Sequence, residues 1–170
     1  MSVLPRVAES TREQIAREFD HMGPDVCKAA ISAHLRQFNP EWLDIASRCA
    51  GDAGNPERIM SGFCMFYRLL VAQASPHHPM KIPGVLAALN PLPRVTVETR
   101  AQIVAEIDKT STESFVNAAI QQLEDGNPEL LQMAHFFASA QDNYLRTMQG
   151  FALLYSALVI QSRADRLSVH

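Results

Sequence analysis

Six histidines are the residues of this sequence best suited to bind a metal or to transfer protons near neutral pH. No two of them lie four residues apart, the spacing that would place a pair of metal ligands on one face of a helix. The adjacent pair lies between prolines, in Pro76-His77-His78-Pro79, which is typical of a solvated linker. The others are His21, His34, His135 and His170. The pattern predicts neither a metal site nor a bound cofactor.

The sequence also lacks the usual motifs of nucleophilic catalysis. The sequence contains no Gly-x-Ser-x-Gly and no glycine-rich phosphate loop, and only seven glycines in all. The three cysteines form no even-numbered disulfide framework, and apolar residues occupy the positions 88 residues further on. These pairs are Cys27 and Phe115, Cys49 and Phe137, and Cys64 and Ala152. We therefore expect buried structural thiols and predict no catalytic residue, which favours a non-enzymatic protein and leaves the enzyme class open.

The sequence repeats itself at an offset of 88 residues. Without a gap, 27 of the 71 residue pairs between residues 4–74 and 92–162 are identical, beginning with Leu4-Pro5-Arg6-Val7 and Leu92-Pro93-Arg94-Val95. The period exceeds the roughly 20–50 residues of solenoid repeats. We infer a tandem duplication with repeats at residues 1–75 and 92–170, a proline-rich linker with a short helical turn at 76–91, and a pseudo-twofold axis between the repeats.

Each repeat carries the pattern of about four helices. Thr11 and Thr99, each followed three residues later by glutamine, predict a capping box at the start of the first helix. The second helix is predicted over 25–37 and 113–124. Asn-Pro-Glu at 39–41 and 127–129 predicts an asparagine-capped third helix, and the fourth begins near residues 55 and 143. Because no strand pattern occurs, the predicted fold is all-α with about eight main helices.

The fourth helix of each repeat is apolar nearly all round and carries a glycine in its interior, Gly62 or Gly150. A glycine inside a helix costs about 1 kcal/mol relative to alanine. Its presence in both repeats predicts that another part of the molecule approaches the backbone too closely for a side chain. A crossing of the two fourth helices is the simplest such arrangement.

Four polar residues that recur in both repeats are candidates for binding: Arg58, Arg146, Tyr67 and Tyr155. One interpretation is structural, with Arg58 paired to Glu18 or Glu41 and Arg146 paired to the matching acids, Glu106 or Glu129. The other is that these side chains reach a pocket between the repeats.

The repeats differ at two positions that matter for partner binding. Trp42 is matched by Leu130, and Arg48 is matched by Phe136, which widens the apolar face of the third helix in the second repeat. Such a face is typical of a groove that accepts a helix of another protein. Trp42 and Phe136 therefore join the candidate binding residues.

Composition excludes several classes of function. The chain is 47% apolar and 19% charged with a net charge of −3, which disfavours a general nucleic-acid binder. No apolar run reaches the roughly 20 residues of a membrane span, and no secretory signal is visible, so we expect a cytoplasmic protein.

The leading hypothesis is a non-enzymatic helical interaction or adaptor module with a protein partner or a second copy of itself. The alternative is a small-molecule-binding or sensor protein, or an enzyme, with a pocket between the repeats.

Overall fold

A computed structural model describes residues 4–51, 55–74, 92–139 and 144–168 of the chain. They form eight α-helices and no strand, which confirms the all-α prediction for this part of the chain. In chain order the helices are α1 (Glu9–Met22), α2 (Pro24–Phe38), α3 (Pro40–Gly51), α4 (Pro56–Ala74), α5 (Val97–Lys109), α6 (Thr112–Gly126), α7 (Pro128–Ser139) and α8 (Tyr144–Ser168). The predicted linker with its short turn, residues 76–91, lies outside the described residues.

Four of the described helices begin at a proline, and three of these prolines belong to Asn-Pro-Glu motifs, at 39–41, 55–57 and 127–129. Pro40, Pro56 and Pro128 occupy the first helical position, where the missing amide hydrogen removes no helical hydrogen bond. At the start of α4, the backbone N–H of Arg58 donates to Oδ1 of Asn55 at 3.3 Å. Local sequence is therefore sufficient to start these helices.

The prediction that Thr11 and Thr99 cap the first helices is wrong. Both residues lie inside helices that begin earlier, α1 after Ala8 and α5 after Thr96. Their hydroxyls donate instead to the side-chain oxygens of Gln73 and Gln161. The same two oxygens accept the backbone N–H groups of residues 8 and 96, so a glutamine distant in sequence binds the start of each helix.

Asn39 and Asn127 also differ from the prediction, because their side chains do not cap the helices that follow them. Asn39 is buried and binds the second half of the chain, donating to the backbone oxygen of Pro93 at 2.9 Å and accepting from the N–H of Val95 at 2.9 Å. Asn127 binds Pro5 and Val7 in the same way, at 2.8 and 3.0 Å. Each asparagine thus satisfies the backbone of an extended segment that has no helical partner.

One hydrophobic cluster joins residues 4–74, here called the first half, with residues 92–168, the second half. Trp42 is fully buried, and its indole N–H donates to the backbone oxygen of Leu154 at 3.1 Å. Phe151 contacts the rings of Phe63 and Phe66, with centroids 4.8 and 5.5 Å apart. Within the described residues, no helix has the length and apolarity required to cross a membrane.

The two glycines in helix interiors, Gly62 and Gly150, confirm the expected close approach, although the approaching group is an aromatic ring. A Cβ atom at Gly62 would lie 2.9 Å from the Phe137 ring, and one at Gly150 would lie 2.8 Å from the Phe63 ring. In each case the ring belongs to the other half of the chain. The glycines therefore let the two halves pack closely together.

We expect Asn39→Ala and Asn127→Ala each to lower the free energy of unfolding by about 2–5 kcal/mol, since each leaves a buried backbone N–H and a partly buried C=O without its partner. Urea unfolding monitored by circular dichroism measures this change. Gln121→Ala, which removes only an exposed hydrogen bond to Asp125, is the matched control and should change stability by less than about 0.5 kcal/mol. Equal effects for all three variants would contradict the assigned role.

Gly62→Ala and Gly150→Ala should each destabilise the protein by about 1–3 kcal/mol despite the better helix propensity of alanine, because the added methyl group collides with a buried ring. The control is Gly126→Ala, since a Cβ atom at Gly126 meets nothing within 4 Å. Thermal melts of the three variants provide the measurement. A stability gain at residue 62 or 150 would show that the ring moves aside without cost.

Candidate functional site

A cleft of about 710 Å³ lies between the two halves and is the strongest candidate site in the described part of the chain. Helices α1 and α4 and the start of α2 contribute the first half's side of the cleft, and α7 contributes the second half's side. We call it the inter-half cleft. Its apolar lining includes Phe19, Met65, Met133 and Phe137.

Charged side chains of both signs also line the inter-half cleft. They are Arg12, Arg58, Asp20, Asp25 and Glu57. The cleft therefore combines a broad apolar surface with polar groups that could orient a bound segment.

A buried ion pair holds α1, which carries Phe19, against α4, which carries Met65. The Arg68 side chain is only 2% exposed, and its guanidinium donates two hydrogen bonds of 2.9 Å to the two carboxylate oxygens of Glu18. This bidentate geometry fixes the relative position of the two helices. The sequence signal for it was an arginine inside an otherwise apolar helix.

A second ion pair connects the two sides of the cleft. Arg12 on α1 donates to Glu129 at 3.0 Å and to Gln132 at 2.9 Å, both on α7. At the positions 88 residues away, Arg100 donates to Glu41 at 3.0 Å and to Asp44 at 2.6 Å. The hydrogen bond from Arg100 holds the pKa of the Asp44 carboxyl below its usual value. Both pairs cross from one half of the chain to the other.

These contacts differ from the predicted structural network around Arg58 and Arg146. Glu18 pairs with Arg68, and Glu41 pairs with Arg100. On the second-half side, Glu129 pairs with Arg12. Glu18 pairs with Arg68 and not with Arg58 because Arg68 is buried deep in α4, where its charge requires a carboxylate, whereas Arg58 is exposed at the start of the same helix.

Of the six candidate residues, the structure brings Arg58 and Phe136 together, because both line the inter-half cleft. Phe136 is 62% exposed and stands edge-on to the ring of Phe137, with centroids 5.6 Å apart. Met133 and Phe137 lie on the same face of α7 as Phe136 and also line the cleft. Phe19 and Met65 were missed as site residues because their spacing is equally typical of core residues.

The other candidates lie elsewhere. Tyr67 is fully buried, packs on Trp42 with ring centroids 4.9 Å apart, and accepts a hydrogen bond of 3.4 Å from Asn39. Burial raises the pKa of Tyr67 to about 12 and also raises the pKa of Tyr155. Arg146 is exposed at the start of α8. None of these four lines the inter-half cleft.

The surroundings of Cys27 and Cys64 disfavour the nucleophilic thiolate form. Burial raises the pKa of the Cys64 thiol to about 11, and it also raises the pKa of Cys27. Both thiols therefore stay protonated at neutral pH. Among the residues that the structure describes, no three His, Cys, Asp or Glu side chains are grouped so that they could hold a metal ion.

Arg68→Ala should lower the free energy of unfolding by about 3–5 kcal/mol, because it leaves the mostly buried Glu18 carboxylate without its cation. Arg12→Ala and Arg100→Ala should each lower it by about 1 kcal/mol or less, since those pairs are partly exposed to solvent. Urea unfolding at low and high salt measures the free energy of unfolding of the three variants. A loss at Arg68 no larger than that at Arg12 would contradict the anchoring role of the buried pair.

Comparisons with protein-family models, with curated protein sequences and with solved structures return no match for this chain.

Proposed function

We propose that this chain is a non-enzymatic interaction module that binds an amphipathic helix of a partner protein in the inter-half cleft. The observation that carries the proposal is the position of Phe136, an aromatic side chain 62% exposed at the edge of a cleft with an apolar floor. Exposing a phenylalanine to water is unfavourable by about 1.5–3 kcal/mol relative to burying it. Because Phe136 is 62% exposed, a partner that covers the ring recovers more than half of this free energy.

The residue types that line the cleft support a protein partner. Phenylalanine, methionine and arginine are enriched in the cores of protein interfaces, and Phe136, Met133 and Arg58 provide all three. Methionine side chains adapt their shape to the surface they meet, so Met65 and Met133 suit a floor that receives side chains from outside. This combination favours contact with protein side chains.

Charge supports a helix with a polar as well as an apolar face. In the proposed complex, the apolar face packs on Met65 and Phe136 while Arg58 pairs with an acidic side chain of the partner. Asp20 and Glu57, which also line the cleft, favour a basic side chain at another position on the same partner helix. The proposed ligand is therefore a helix whose apolar stripe is bordered by charges of both signs.

The alternative is a small-molecule-binding or sensor protein, or an enzyme, with its pocket between the halves. The observation in its favour is the cleft volume of about 710 Å³, which lies within the roughly 300–1,000 Å³ of small-molecule sites. Such sites bury most of their ligand, whereas Phe136 is well exposed at this cleft. Of the four recurring polar residues that this alternative invokes, Arg58 alone lines it.

The proposal includes the origin and setting of the module. We propose that the halves arose by tandem duplication and pack about a pseudo-twofold axis. Asn39 and Asn127 lie 88 residues apart, and each makes the same kind of contact with the opposite half of the chain. The same holds for Arg12 and Arg100, and these equivalent contacts support this origin. We further propose that the module acts in the cytoplasm and does not bind nucleic acid. Its net charge of −3 supports the second point, because nucleic-acid binders need an excess of positive charge.

Selection from a displayed library of random peptides of about 16 residues, long enough for roughly four helical turns, tests the proposal. The purified protein should enrich peptides with an apolar stripe at helical spacing. Phe136→Glu should weaken binding of a synthetic selected peptide at least tenfold, or by about 1.4 kcal/mol or more, because a charge would replace the apolar anchor. Fluorescence anisotropy measures the affinity.

Val97→Glu is the matched control, since Val97 is 63% exposed and does not line the inter-half cleft. It should leave peptide binding unchanged, and both variants should melt at the wild-type temperature. Enriched peptides that bind Phe136→Glu as well as the wild type would overturn the proposal. So would dimerisation through Phe136, detected by sedimentation as a Phe136→Glu-sensitive dimer that excludes the peptides.

A further inference from the structure

A second cleft, of about 470 Å³, lies entirely within the first half, between α2, α3 and the start of α4. We call it the α2–α3 cleft. Three of its lining residues, Lys28, Ser32 and Arg36, follow one another at intervals of four along α2. This spacing places them on one face of the helix, so that two cations flank a hydroxyl group. Ser47 of α3 provides a second hydroxyl to the lining.

The charge of this cleft contrasts with that of the whole chain. The protein carries a net charge of −3, whereas the cleft lining has two cations against one acid, Glu57. Lys28 lies 3.8 Å from a carboxylate oxygen of Asp25, but that side chain is 94% exposed, so water screens the pair strongly. Arg36 forms no ion pair within the described residues. Both cations are therefore available to a bound anion.

The hydroxyl between the cations retains hydrogen-bonding capacity. Ser32 is only 9% exposed, and its Oγ lies 3.8 Å from Sγ of Cys64. A thiol is a weak hydrogen-bond partner compared with a charged oxygen. A bound oxyanion would therefore offer the Ser32 hydroxyl a stronger hydrogen-bond partner than the Cys64 thiol.

The packing of α2 does not by itself require the basic row. The positions 88 residues later, on α6, carry Val116, Ile120 and Glu124, so the matching helix lacks both cations and the hydroxyl. A helix of the same kind thus forms without them. The basic row is a property of the first half alone, as expected of residues that serve a ligand.

We propose that the α2–α3 cleft binds the phosphate group of a small phosphate monoester, with Lys28 and Arg36 neutralising the anion and Ser32 donating a hydrogen bond to it. Lysine and arginine are the side chains that most often bind phosphate, and two cations match its double negative charge. The walls formed by Leu43, Met60 and Ala29 provide apolar contact for the body of the molecule. The volume of the cleft suits a ligand of that size.

Phenyl phosphate is the probe, because it joins a phosphate to a small apolar ring, and inorganic phosphate and benzoate are the comparison ligands. At constant ionic strength, titrations monitored by amide NMR should show saturable shifts in α2 and α3 with a dissociation constant below about 1 mM for phenyl phosphate. Inorganic phosphate should bind more weakly because it lacks the ring. Benzoate, with a single negative charge, should bind at least about tenfold more weakly.

Lys28→Gln and Arg36→Gln should each weaken phenyl phosphate binding about tenfold or more, and Ser32→Ala should weaken it to a smaller extent. Lys109→Gln is the matched control, since it removes one exposed cation at the end of α5 and should leave the affinity unchanged. The Phe136→Glu variant should bind phenyl phosphate with the wild-type affinity. The phosphate site and the proposed helix interaction are therefore tested independently of each other.

Several outcomes would overturn the phosphate site. Equal weakening by Lys109→Gln would show that only the total charge of the protein matters. Unchanged affinity in Lys28→Gln and Arg36→Gln, binding of benzoate as tight as that of phenyl phosphate, or shifts that do not saturate would each contradict the assignment. Circular dichroism of every variant separates loss of binding from loss of fold.

Discussion

The structure depends on the hydrogen bonds that Asn39 and Asn127 form across the two halves of the chain. The extended residues before α1 and α5 have backbone polar groups without a helical partner, and burying such groups without hydrogen bonds is costly. Each asparagine is buried and satisfies the segment that belongs to the other half. The extended segment of each half therefore depends on the other half for its hydrogen bonds. These bonds hold the two halves together around one hydrophobic cluster.

The inter-half cleft follows from this arrangement and from a difference between the halves. The asparagines and the ion pairs of Arg12 and Arg100 fix the position of one half relative to the other. In this arrangement α7 faces α1 and α4 across an apolar space. Phe136 lies at the edge of that space, whereas Arg48, its counterpart on α3, forms an ion pair with Asp44 one helical turn away. Similar packing thus leaves an exposed aromatic ring in one half and a solvated charge in the other.

Much of the fold could be predicted because helices depend on short-range patterns. The apolar spacing of α2, α3 and α4 and the prolines that start α3 and α7 are local signals, and the structure confirms them. Thr11 and Thr99 were misinterpreted because a capping box is also a local signal, while the group that binds the start of each helix is a glutamine more than 60 residues away. For the candidate site, spacing could identify the wide face around Phe136 but not which residues lie opposite it.

The sequence by itself determined that the described chain is helical, where most of its helices begin, and that Gly62 and Gly150 must meet a close neighbour. These properties depend on backbone geometry and on contacts within a few residues. Only the tertiary structure decided that an aromatic ring is that neighbour, that Arg68 rather than Arg58 binds Glu18, and that Tyr67 is buried while Arg58 lines a cleft. The physical reason is that burial and charge pairing depend on which surfaces meet, and residues far apart in the chain create those surfaces.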